Sequence, residues 1–312
     1  MIRTLKSLGV VSSLGMLFIL LGGALVTKTD SGAGCGDSWP LCHGQLIPTD
    51  ITPELIIELS HRLVSSVMGI TILLLAIIAW RVIGHIREVK FLAFLSVFFL
   101  ILQGLIGAAA VMWGQSDFVL AAHFGISLVS FASVFLLTLL IFEIDTKFDA
   151  KQLFIEKRHR LEIYLLTIFT IIVVYTGALV RHTKASLVCE SWPFCTSGAP
   201  FDFASYNFYQ WVQMGHRFFA GLLFIWTVLF FIKVFKNYKN SRVMYWGWII
   251  TLGLITAQVI FGALVVLNGV TYGLDANITL IVALFHALVI TCYFGMLSYF
   301  ILLASRSSRQ EK

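Results

Sequence analysis

Charge is what this chain has least of. Only 12% of its 312 residues are Asp, Glu, Lys or Arg, against the roughly 25% with which a soluble domain faces water. A water-soluble globular fold is excluded on that ground alone. Mean hydropathy is +0.91 and 59% of residues are hydrophobic, so lipid is the solvent for most of the surface. Acids are scarcer still, 16 against 22 Lys and Arg. The resulting net charge of +6 would suit a nucleic acid, but its distribution rejects that partner. Basic residues gather at Arg3 and Lys6, at Arg81, Arg87 and Lys90, and at Lys147, Lys151, Lys157, Arg158 and Arg160. They gather again at Lys233, Lys236, Lys239 and Arg242, and at Arg306, Arg309 and Lys312. The alternate connections hold only Lys28, Arg181 and Lys184.

Between these clusters lie eight apolar runs, near 8–27, 57–80, 91–112, 119–142, 161–180, 211–232, 244–267 and 278–303. Each approaches the ~20 residues that a membrane helix needs. The first is too long for the apolar core of a typical signal peptide and is kept as a helix. The sequence therefore predicts an all-α integral membrane protein with eight transmembrane helices. Lys and Arg favour the cytoplasmic side, which puts both termini there and turns the odd-to-even loops outward into a cell membrane's exterior.

The chain repeats itself. Glu58-Leu-Ser-His61-Arg62 returns as Gln213-Met-Gly-His216-Arg217, displaced by 155 residues. Gly23-Ala-Leu-Val26 returns as Gly177-Ala-Leu-Val180, and Gln103-Gly-Leu-Ile-Gly107-Ala108 as Gln258-Val-Ile-Phe-Gly262-Ala263. The outward loops both carry Ser-Trp-Pro between cysteines, Cys35 to Cys42 and Cys189 to Cys195. Four helices per half make the repeats parallel, two four-helix bundles about an axis along the membrane normal. The expected division is 1–146, a polar cytoplasmic linker at 147–160, and 161–312. A longer outer connection, Asn268 to Asn277, accounts for the greater displacement between His123 and His286.

Each half has two histidines inside apolar runs, His61 with His123 and His216 with His286, all within the first turns of helices that begin at the outer face. One isolated intramembrane histidine reads as an interhelical hydrogen bond. A pair at matched depth, repeated in both halves, reads as axial ligation of a haem iron. Zinc would need three or four ligands, and the second half offers none beyond its pair at that depth. Arg62 and Arg217 suit either haem propionates or lipid headgroups. His43, His85, His159 and His182 read as solvated surface, and Cys292 as a small core residue.

Glu58 breaks the symmetry, because Gln213 cannot titrate. A carboxylate beside a ligand histidine moves protons or stabilises positive charge; the alternative is a structural hydrogen bond to Arg62 or His61. The cysteine pairs, on the oxidising side, are either loop staples or redox-active. The staple reading is favoured for Cys189 and Cys195, and both readings stand for Cys35 and Cys42.

Taken together, the Glu-x-x-His-Arg motif at Glu58–Arg62, the His-Arg at 216–217, His123, His286 and the paired outer cysteines resemble the haem A synthases of the respiratory chain, in their bacterial branch. The likeness spans the whole chain. It implies an oxidoreductase that takes the C8 methyl of haem O to a formyl group by two hydroxylations and loss of water. It implies a haem b cofactor on His216 and His286 in the second half. In the first half it implies substrate haem between His61 and His123, with Glu58 needed for turnover. Cys189–Cys195 matches the family's structural disulfide and Cys35–Cys42 a pair tied to reaction or haem transfer. Expected partners are haem O, a haem O synthase, a membrane electron donor and lipid. A two-haem electron-transfer cytochrome is the rival reading; it requires equivalent halves, which Glu58 opposite Gln213 argues against.

Overall fold

The computed structural model describes residues 1–114, 116–142, 153–198, 200–271, 273 and 275–310. Eight helices are long and apolar enough to cross a bilayer. They are α1 (Ile2–Lys28), α2 (Pro53–Ile83), α3 (Arg87–Met112), α4 (Asp117–Ile141), α5 (Lys157–His182), α6 (Phe208–Asn237), α7 (Arg242–Val266) and α8 (Ala276–Gln310). Most outrun the apolar runs in the sequence, because polar caps carry them past the hydrocarbon slab. Thr52 accepts the Leu55 N–H ahead of Pro53, and Asn207 and Gln210 form a reciprocal capping box at the head of α6.

Contacts divide the chain into Met1–Ile144 and Asp145–Lys312. Of the expected linker at 147–160, residues 147–152 fall outside the described part, as do the basic residues Lys147, Lys151 and Lys312. Residues 157–160 already belong to α5. His159 is not a solvated side chain there. It is buried, bonds the Tyr238 hydroxyl at 2.9 Å and sits edge-on to Phe230. The longer connection of the second half is partly helical as well, since a π-turn at Leu267–Thr271 continues α7.

Within the first unit the neighbours are α1 with α2, α2 with α3, α3 with α4 and α4 with α1. Within the second they are α5 with α6, α6 with α7, α7 with α8 and α8 with α5. Each unit is thus a closed ring of four helices in which α2 faces α4, or α6 faces α8, across the interior.

Both ends of each ring are packed, with buried residues sparser between them. Away from the cysteine loops the interior is close-packed. Thr138 donates to the Gly9 carbonyl at 3.0 Å, and Gly15 admits the Met68 side chain. In the second unit Trp248 stacks on Phe300 at 4.7 Å and Tyr293 hydrogen-bonds Thr227 at 2.7 Å. At the cysteine loops Cys35, Cys42 and Leu55, and Cys189, Cys195 and Tyr206, form buried clusters, and just beneath them buried residues are few. No residue is buried from 21 to 28 in α1, 59 to 71 in α2 or 122 to 126 in α4. The same is true from 175 to 179 in α5, 214 to 222 in α6, 256 to 265 in α7 and 284 to 289 in α8.

Candidate haem sites

All four histidines fall inside those stretches. His61 on α2 and His123 on α4 come from facing helices, near enough for their imidazoles to interact electrostatically. His216 on α6 and His286 on α8 occupy facing helices of the second ring. Each ring lies against a glycine of a neighbouring helix. A Cβ added at Gly22 would stand 3.0 Å from Nδ1 of His61, and one at Gly107 3.3 Å from Cε1 of His123. At Gly177 it would stand 2.8 Å from Cε1 of His216, and at Gly262 3.1 Å from Cε1 of His286. Only a residue without a side chain lets the imidazole lie so close to the next backbone. Three of the four repeated Gly-Ala steps, at Gly107, Gly177 and Gly262, are therefore seats of histidines, and His61 rests chiefly on Gly22, one residue before the fourth.

The two pairs are held differently. Nδ1 of His216 hydrogen-bonds Thr176 Oγ1 at 3.0 Å. Nδ1 of His286 donates to the Gln258 carbonyl at 3.1 Å, while the Gln258 amide nitrogen lies 3.1 Å from Nε2. In the first unit, Nδ1 of His61 is buried with no hydrogen-bond partner, while the Gln103 carbonyl lies beside the His123 ring as the Gln258 carbonyl lies beside His286.

The cysteine loops are tied to the helices by the acid, the amide and the two arginines. Disulfides join Cys35 to Cys42 and Cys189 to Cys195. Oε2 of Glu58 accepts the Cys35 N–H at 2.8 Å, and Oε1 pairs with Nη2 of Arg62. Arg62 Nη1 donates to the carbonyls of Ser38 at 2.8 Å and Leu41 at 2.9 Å. In the second unit, Oε1 of Gln213 accepts the Cys189 N–H at 3.0 Å and its amide donates to the Ser186 carbonyl at 2.7 Å. Arg217 Nη1 reaches the carbonyls of Ser191, Pro193 and Phe194. The arginines are therefore loop clamps first. Both terminal nitrogens of Arg62 are engaged, whereas Nη2 of Arg217 is buried without a partner and remains available to an anion.

A pair of imidazoles from facing helices at one level is the donor set that an axially ligated haem requires. Among the described residues no three His, Cys, Asp or Glu side chains converge, and an axial pair needs only two.

Residues 6–298 match the family model described as cytochrome oxidase assembly protein, COX15-CtaA. The chain belongs to this family. Within the COX15-CtaA family it is 57% identical over 312 residues to a protein of Oceanobacillus iheyensis named heme A synthase, covering 100% of this chain and 98% of that one. The heme A synthase of Geobacillus kaustophilus is 57% identical over 307 residues (98% and 93%), and that of Lysinibacillus sphaericus 54% over 310 (99% and 98%). The similarity therefore runs through both rings and both cysteine loops, not one motif. Sequence reasoning alone singled out the histidines, the arginines, Glu58 and the cysteines. It missed Thr176, which no repeat marks, and it gave Gln258 no role although the repeat displayed it.

Proposed function

We propose that the chain is a haem A synthase of the bacterial cell membrane, oxidising the C8 methyl of haem O to a formyl group. The observation that carries this reading is the pair of rings, each with two imidazoles from facing helices at one level, in a chain of this family. His216 and His286 hold haem b, with Arg217 Nη2 as the donor to a propionate. His61 and His123 flank the substrate haem. Haem b supplies reversible one-electron chemistry when bound, drawing on an electron donor in the membrane, and haem O arrives from a haem O synthase. Both termini lie in the cytoplasm, so both sites open towards the outer face.

Glu58 is the reactive carboxylate. Its loop-holding task needs no charge, because Gln213 performs that task in the second unit as an amide. The negative charge, which Gln213 lacks, is paired with Arg62 and lies one helical turn from His61 on the same face. Within the first site it stabilises positive charge that develops on the substrate, or takes a proton at Oε1 or Oε2. Arg62 holds it in place through the ion pair at Oε1.

Haem extraction from the purified protein tests the reading. Wild type co-expressed with haem O synthase should yield haem b together with haem O, hydroxylated haem O or haem A. His216→Ala should lose the haem b and keep the helical fold. Haem b as the sole pigment, in a protein supplied with haem O, would instead support the electron-transfer cytochrome.

A further inference from the structure

We propose that Thr176 is a positioning residue that fixes His216 with Nε2 facing the bundle interior, making the second ring the site that retains its haem while the first exchanges it. This rests on the assignment of His216 as a ligand. Thr176 Oγ1 has one proton, and it goes to the Val173 carbonyl at 2.8 Å. Oγ1 can then only accept from the imidazole, so the proton between Thr176 and His216 belongs to Nδ1. That tautomer leaves the lone pair on Nε2. A ligand imidazole whose Nδ1–H is hydrogen-bonded is oriented in advance and is a better electron donor to its metal.

His61 has no such support. At the repeat's displacement of 154, the residue opposite Thr176 is Gly22, which has no hydroxyl to offer, and Nδ1 of His61 is buried and unpartnered. No hydrogen bond selects its tautomer. A weakly oriented imidazole suits a group that must arrive as substrate and leave as product. One side chain thus separates a permanent site from a transient one, independently of the Glu58–Gln213 difference.

The test compares Thr176→Val, which keeps the shape and removes the hydroxyl, with Thr176→Ser, which restores it. Haem transfer from purified protein to apomyoglobin should be about tenfold or more faster in Thr176→Val. Its haem b midpoint potential should move positive, because a poorer donor favours the ferric state less. Thr176→Ser should match wild type in both. Should Thr176→Val fail to accumulate, Thr176→Ala, which demands no extra space, is read in the same way. Wild-type release and potential in the hydroxyl-free variant, alongside loss of haem b in His216→Ala, would overturn the proposal and leave the site assignment standing. Retention of haem b by His216→Ala would overturn the assignment itself.

Discussion

Glu58 and Gln213 grip the same backbone group, the N–H of the first cysteine in each loop, and differ by one charge. In Glu58→Gln the loop should stay anchored and haem content should match wild type. The melting temperature should fall because Arg62 loses its counterion. Conversion of haem O should stop; normal haem A output would end the role of the charge. Arg62→Ala removes the other partner. It strands a carboxylate buried to 3% exposure without its counterion, which costs about 3–5 kcal/mol and should lower the melting temperature. A third prediction concerns Tyr238, just beyond α6. Burial holds its phenol above the ordinary value of 10.0, against the opposing pull of the Glu156 N–H. A raised value means the folded form binds the proton more tightly. The associated stability is complete below the unfolded value and is lost as pH rises through the folded one. Melting curves followed into alkali should show that loss in wild type and not in Tyr238→Phe.

Among the helices, packing divides by depth, and glycine plays two roles accordingly. At Gly247 a Cβ would meet Phe300 Cζ at 2.8 Å inside a packed end of the second ring. Gly247→Val should therefore destabilise by about 1–3 kcal/mol through overpacking. At Gly177 the same enlargement meets the His216 ring. Gly177→Val should leave melting of the haem-free protein unchanged while the haem b to protein ratio falls. The sequence displayed much of this. Eight apolar runs and the basic clusters between them are direct consequences of solvent, and a repeat is visible without coordinates. Which glycine seats which imidazole was not visible, because that depends on helix rotation, and a repeated Gly-Ala step reads equally well as close helix packing. Nor did the pattern reveal that Arg62 serves the loop. A basic residue at a helix end satisfies headgroup, propionate or carbonyl alike, and only the turn of the loop around Ser38 and Leu41 selects among them. His159 misled for the opposite reason: a polar neighbourhood in the sequence became a buried contact once α5 began at Lys157.

For the molecule as a whole, each unit closes its own ring and holds its own packed end. The segment 145–312 expressed by itself should therefore insert into membranes and bind one haem b with the absorbance of the full chain; a colourless, aggregated fragment would show that the ring needs the other half. The paired histidines have a last consequence, for the life of the protein in a cell: a ligand held between them stabilises the fold by an amount that grows with the logarithm of supply over affinity. The abundance of the protein should then follow pigment supply with no change in transcription.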